Sequence, residues 1–261
     1  MNKGPILTVK RDKVLYVTLA RPPANAIDAA TSRLMGEIFA EFRDDDDLRV
    51  AVLTGEGPKF FCAGWDLKAA ASGEAPDADF GIGGFGGIAA LPGLLKPIVA
   101  AVNGIAVGGG FELALAADII VASENARFSL PGVWVGAITD RAATILPRRI
   151  PYHLAMELLL TVRWVDANEA RQYGFVNAVV PADQLAARAT AIAEQIASGA
   201  PLVQQAIKDI ARQVDDTTYE KVSTAIANGS LPSVAKLLAS EDLREGAQAF
   251  AEKRSPEWKG R

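Results

Sequence analysis

Three consecutive glycines, Gly108-Gly109-Gly110, with Glu112 close behind them, form the pattern in this chain best suited to chemistry on a carbonyl compound. An apolar, strand-like run from Ile98 to Val102 leads through Asn103-Gly104-Ile-Ala-Val into the glycines. The alanine-rich stretch Leu113-Ala-Leu-Ala-Ala-Asp118 then reads as helix. Glycine lets backbone approach a ligand closely, and the first N–H groups of a helix lack internal partners and can face developing negative charge. Glu112, between Phe111 and Leu113, is expected in apolar surroundings that raise a carboxyl pKa toward values useful for acid-base work. The local alternative is that it only complements the helix dipole.

A second strand-to-helix corner lies upstream. Val50-Ala-Val-Leu-Thr-Gly55 reads as a strand, and Phe60-Phe-Cys-Ala-Gly64-Trp65-Asp66-Leu67-Lys68 leads from it into helix-forming alanines. Each corner can supply one backbone N–H, and two convergent donors are what a thioester oxyanion requires.

Together these segments resemble the enoyl-CoA hydratase/isomerase (crotonase) superfamily, over nearly the whole chain. Arg21-Pro-Pro-Ala24-Asn-Ala-Ile-Asp28, Glu74-Ala-Pro-Asp-Ala-Asp-Phe80 and the terminal Phe250-Ala-Glu-Lys253-Arg-Ser-Pro-Glu-Trp258-Lys-Gly-Arg extend the likeness, which within the superfamily is to the carnitinyl-CoA dehydratase branch. The resemblance implies oxyanion donors at Trp65 and Gly109 and an acid-base role for Glu112. It also implies CoA contacts at Ala24, Ala63, Asp66, Leu67 and Lys68, and at Phe250 and Lys253 near the end of the chain. The substrate would be an acyl-CoA thioester, with no separate cofactor and no metal.

The chain departs from the family's pattern where a second catalytic glutamate should follow a proline. That segment reads Leu130-Pro131-Gly132-Val-Trp134-Val-Gly136-Ala-Ile-Thr139-Asp140-Arg141, so Gly132 stands at the glutamate's position. Asp140 matches an aspartate that some branches use and is the candidate partner for Glu112. Its local alternative is pairing with Arg141 or capping the next helix. The implied function is reversible hydration and dehydration of an α,β-unsaturated acyl-CoA. The alternatives are an isomerase or thioester hydrolase using Glu112 and Asp140, or a CoA-ester-binding protein without hydratase activity.

The elements that must position these residues are an α/β series. Ile6–Lys10 and Val14–Leu19 read as paired strands, Asp28–Phe42 as helix, and a repeated ββα rhythm follows, with helices beyond about Ala200. The resemblance implies a crotonase-like spiral over residues 1–200 and a C-terminal helical region over 201–261 that packs homotrimers or homohexamers. Gly81-Ile-Gly-Gly-Phe-Gly86 matches a dinucleotide-binding pattern but does not follow a strand, so it reads as a loop shaping the acyl pocket with Phe80, Phe85 and Trp134. The single Cys62 cannot form an internal disulfide, and His153 reads as a structural histidine. Net charge −4 argues against general nucleic-acid binding. The longest apolar runs are broken by glycine or charge, so no membrane span is expected and a cytoplasmic protein is.

Overall fold

The structure is a computed structural model that describes residues 2–261. Strand β1 (Asn2–Lys3) pairs antiparallel with β2 (Ile6–Arg11), which forms a hairpin with β3 (Val14–Leu19) around Asp12. Helix α1 (Ala29–Asp44) begins at Asp28, whose carboxylate accepts the Thr31 N–H at 2.8 Å, a side-chain cap.

Three ββα units follow in succession: β4 (Val50–Gly55), β5 (Phe60–Cys62) and α2 (Leu67–Ala71); β6 (Ile98–Val102), β7 (Ile105–Val107) and α3 (Gly109–Leu115); β8 (Ile119–Ser123), β9 (Arg127–Ser129) and α4 (Gly132–Val135). Each unit gives its first strand to a seven-stranded sheet and its second to a four-stranded one. The next elements are α5 (Asp140–Arg149), α6 (Tyr152–Thr161), β10 (Val165–Asp166), α7 (Ala167–Tyr173), β11 (Ala178–Val180) and α8 (Leu185–Ala197). The large sheet runs β1-β2-β3-β4-β6-β8-β11 and the small one β10-β9-β7-β5. The expected ββα spiral is therefore present, and the residues that follow β5, β7 and β9 border one cavity.

Burial explains the composition of the strands. β6 is buried at every position because its two faces are covered by different elements. Ile98, Ala100 and Val102 face the main core with Phe39, Phe111 and Phe128, whereas Val99 and Ala101 face α8. Parallel strands covered on both sides read as continuous apolar runs, not as alternation.

From Pro201 onward there are only helices: α9 (Pro201–Asp216), α10 (Tyr219–Ala227), α11 (Pro232–Leu238) and α12 (Asp242–Glu252). Pro201 and Pro232 open α9 and α11, where a missing N–H costs nothing. Ala206, Leu231 and Val234 form a small buried cluster of their own. Polar ties join this region to the sheets: Lys208 Nζ donates to Asp118 at 2.6 Å, and Arg49 donates to Ala197 and Trp258 carbonyls. Among the described residues no helix is long and apolar enough to cross a membrane.

Candidate active site

The two corners meet. Gly64 has φ 85°, and a Cβ placed there would lie 2.5 Å from the Val107 carbonyl oxygen and 2.9 Å from the Gly109 nitrogen. Only glycine permits that conformation and that approach. On either side of Trp65 the backbone is tied to Ile27: Ile27 N–H donates to Gly64 at 2.8 Å, and Asp66 N–H donates to Ile27 at 2.9 Å. The Trp65 N–H takes no part in that bridge and faces the other way. Gly109 opens α3, so its N–H precedes the helical hydrogen-bond ladder. Both residues line one cavity of about 290 Å³.

Two side-chain clamps hold the Trp65 corner. Arg21 donates to Asp28 and to Asp66, each at 2.6 Å, and to the Ala26 carbonyl at 2.8 Å. Glu74 accepts the Trp65 indole N–H at 2.7 Å with one oxygen and the Ala29 N–H at 3.0 Å with the other.

Glu112 forms part of another wall of the same cavity. It lies in the first turn of α3 and is only 8% exposed. Burial pushes its carboxyl above the ordinary carboxylate range, against the Ala142 N–H, which donates to it at 2.9 Å and favours the charged form. The negative charge of Asp140 pushes it further up, and the Arg141 guanidinium draws it down. Glu112 thereby holds the start of α5, where Thr139 makes no side-chain cap. It is both a cap in space and a buried carboxyl facing a cavity.

Asp140, the first residue of α5, is exposed and also lines the cavity. Arg141 donates to the Ala89 carbonyl at 2.9 Å and, among the described residues, makes no ion pair with Asp140. Gly132 also borders the cavity, but a Cβ there would lie 2.3 Å from the Ala137 carbonyl oxygen. The backbone of this segment is folded so that no side chain fits at Gly132 without movement. The glutamate that the resemblance implies at this position would thus require a different course of the chain.

Of the residues singled out in the sequence, Ala63, Trp65, Leu67, Gly109, Glu112 and Asp140 are brought together around the cavity, with Phe80 and Phe85. Ala24 stands behind it, its carbonyl accepting the Ala63 N–H at 3.0 Å. Asp66 caps α2 and pairs with Arg21, and Lys68 is exposed; neither lines the cavity. Phe250 and Lys253, at the end of α12, lie outside it, and Phe250 is 87% exposed. Trp134 is exposed and does not line the cavity, contrary to its expected place in the acyl pocket. The glycine-rich segment gives a short 3₁₀ turn, Phe85–Gly87, whose Phe85 ring contacts Phe80 edge-on. Burial pushes the Cys62 thiol up to about 12, which leaves it unsuited to act as a thiolate nucleophile. His153 is exposed beside Tyr152.

Sequence reasoning missed Arg21, Glu74 and Ala142 as supports of the site. Arg21 and Glu74 carried a weak signal, as charged residues within the motifs that frame the corner. The Ala142 N–H carried none, because every residue but proline has one.

The model of the enoyl-CoA hydratase/isomerase family matches residues 10–261. Carnitinyl-CoA dehydratase of Proteus mirabilis (strain HI4320) is 53% identical over 252 residues, covering 96% of this chain and 97% of that protein. The carnitinyl-CoA dehydratase of Salmonella typhi is 52% identical over 249 residues, 95% of each. Among solved structures, an enoyl-CoA hydratase from Mycobacterium tuberculosis H37Rv superposes with a TM-score of 0.89 at 38% identity, covering 99% of this chain and all of that one. An enoyl-CoA hydratase from Bacillus anthracis gives 0.87 at 32% identity, over 98% of this chain. With its spiral of ββα units, paired corner amides and buried carboxyl, this chain belongs to the enoyl-CoA hydratase/isomerase family.

Proposed function

We propose that the protein is an acyl-CoA lyase that adds water to, or removes it from, an α,β-unsaturated acyl-CoA, with carnitinyl-CoA as its substrate class. The observation that carries this reading is Glu112, a buried carboxyl with a raised pKa, in the same cavity as the N–H groups of Trp65 and Gly109. In the dehydration direction those two N–H groups hold the thioester oxygen. Asp140 takes the proton from Cα, the negative charge moves onto the thioester oxygen, and the Cβ–O bond breaks as the double bond forms. Glu112 supplies the proton with which the leaving hydroxyl departs as water. Hydration is the reverse. CoA enters as part of the substrate, along the corner from Ala63 to Lys68.

The cavity lining favours a cationic acyl group. Its ionisable side chains are Glu112 and Asp140, with no lysine or arginine among them, and Trp65, Phe80 and Phe85 supply aromatic surface. The Asp140 carboxylate and the aromatic faces together suit a quaternary ammonium. Two further assignments belong to this reading: residues 1–200 as the catalytic core and 201–261 as an oligomerisation region. Phe250 at 87% and Ile207 at 61% exposure support the second, since large apolar side chains so displayed suit a subunit contact.

The test is mass spectrometry of the protein incubated with carnitinyl-, hydroxyacyl- and enoyl-CoA esters. Loss or gain of one water, fastest with the carnitinyl ester, is expected. Release of free CoA would assign hydrolysis. A shifted double bond at unchanged mass, seen by NMR, would assign isomerisation, and binding without conversion would leave a CoA-ester-binding protein.

A further inference from the structure

A second cavity, of about 300 Å³, lies at the other end of α3 and shares no lining residue with the first. Three arginines of α5, Arg141, Arg148 and Arg149, line it, and Arg212 of α9 faces them, over an apolar floor that includes Leu115 and Ile145. No carboxylate lines it. Among the described residues none of the four forms an ion pair, whereas Arg21, Arg163 and Arg254 each hold two carboxylates.

Backbone carbonyls use little of their donor capacity. Arg141 donates to Ala89 at 2.9 Å, Arg212 to Leu94 at 3.1 Å, and Arg149 to Leu115 at a long 3.4 Å. No such bond is made by Arg148 among the described residues. A guanidinium has five N–H donors, so most of the fork geometry in this cavity remains open. Arg148, Arg149 and Arg212 are exposed and Arg141 is half-buried, and four like charges around one concavity repel one another unless an anion lies among them. Merely capping the end of α3 would need one arginine, not four.

We propose that this cavity is a binding site for a small multivalent oxyanion of the phosphate class, separate from the thioester cavity. Planar guanidinium groups bind such anions through paired N–H contacts, which a single-atom halide cannot use equally. Helix α5 joins the two sites, since it presents Arg148 to the anion and the Ala142 N–H to Glu112.

The test uses the full chain and inorganic phosphate, titrated against chloride at constant ionic strength. Calorimetric titration should give saturable binding, with Tm rising by about 2–4 °C at tenfold excess over Kd. The double variant Arg148→Gln/Arg212→Gln should abolish that rise while retaining turnover of CoA esters. Should that variant fail to fold, Arg148→Lys keeps the charge without the fork and should weaken phosphate binding about tenfold. Absence of saturable binding, or binding unchanged in these variants, overturns the proposal. Displacement of phosphate by CoA, with phosphate binding unchanged in the double variant, would place the anion in the thioester cleft and overturn it too. If phosphate has no effect and the double variant lowers the mass seen by light scattering, the arginines pair with a second copy of the chain instead.

Discussion

The two walls of the cavity proposed to hold the thioester are built by different means. The Trp65/Gly109 wall is made of backbone. Its donors are N–H groups, and the side chains around them, Arg21, Glu74 and Asp28, only fix where the chain runs. The Glu112/Asp140 wall is made of side chains, one buried and held by Ala142, the other exposed, and Gly132 lines the same cavity without a side chain. A backbone wall can be damaged only by moving the chain. A side-chain wall can lose or exchange a group while the chain stays put.

The side-chain wall should be the easier one to disable. Glu112→Gln keeps size and the capacity to accept from Ala142 but removes the titrating group, and turnover is expected to fall about 10²–10⁴-fold with substrate affinity retained. Steady-state rates beside equilibrium binding of the same ester check this. Turnover near that of the unmutated protein would remove Glu112 from the chemistry.

Breaking the backbone wall takes a change in shape. At Gly64 even a methyl group would meet the Val107 oxygen at 2.5 Å and Gly109 N at 2.9 Å, so Gly64→Ala must push the corners apart. Losing one oxyanion donor costs about 10²–10³-fold in kcat, and here a loss of stability is expected with it. Thermal melts and single-turnover rates separate the two losses. A folded Gly64→Ala protein with an unchanged chemical step would mean that the two N–H groups do not hold the thioester oxygen.

This division also explains what could be read in the sequence. The glycine run, Glu112 in the following first turn and the strands from Ile6 to Ala122 are local patterns, and they lie where the patterns put them. The small sheet was harder to see. β5, β7 and β9 are three residues each, too short for alternation to mark them, and they form because neighbouring turns of the spiral stack. Gly132 shows the limit most clearly. By the resemblance its position is that of a glutamate, yet the chain curls so that the Ala137 carbonyl oxygen lies 2.3 Å from where a Cβ would stand. Glu112 and Ala142 are thirty positions apart in the chain, a contact no local pattern announces.

Asp140→Asn sharpens the contrast within the side-chain wall. If Asp140 is the acid-base partner of Glu112, turnover should fall about 10²-fold, at the low end for acid-base groups, with thioester affinity nearly unchanged. Stopped-flow binding and single-turnover measurements check this. An intact chemical step beside an inactive Glu112→Gln would leave a one-carboxylate mechanism, in which Glu112 alone shuttles the proton.

The smallest effect concerns stability, and it separates the two roles of Glu112. Burial raises the folded-state pKa of this carboxyl above its unfolded value, so the folded protein holds the proton more tightly than the unfolded chain. The stability contributed by that proton is fully present below the unfolded pKa and is lost as pH rises through the folded one. Glutamine at this position does not titrate. The melting temperature of Glu112→Gln relative to the unmutated protein should therefore rise with pH over the mildly acidic range and level off once Glu112 is ionised. If instead the difference stays constant from pH 4 to pH 8, Glu112 is not a buried acid with a raised pKa and acts as a helix cap alone. Parallel melts across a buffer series decide between these, because a cap that merely accepts the Ala142 N–H would leave no pH signature of this sign.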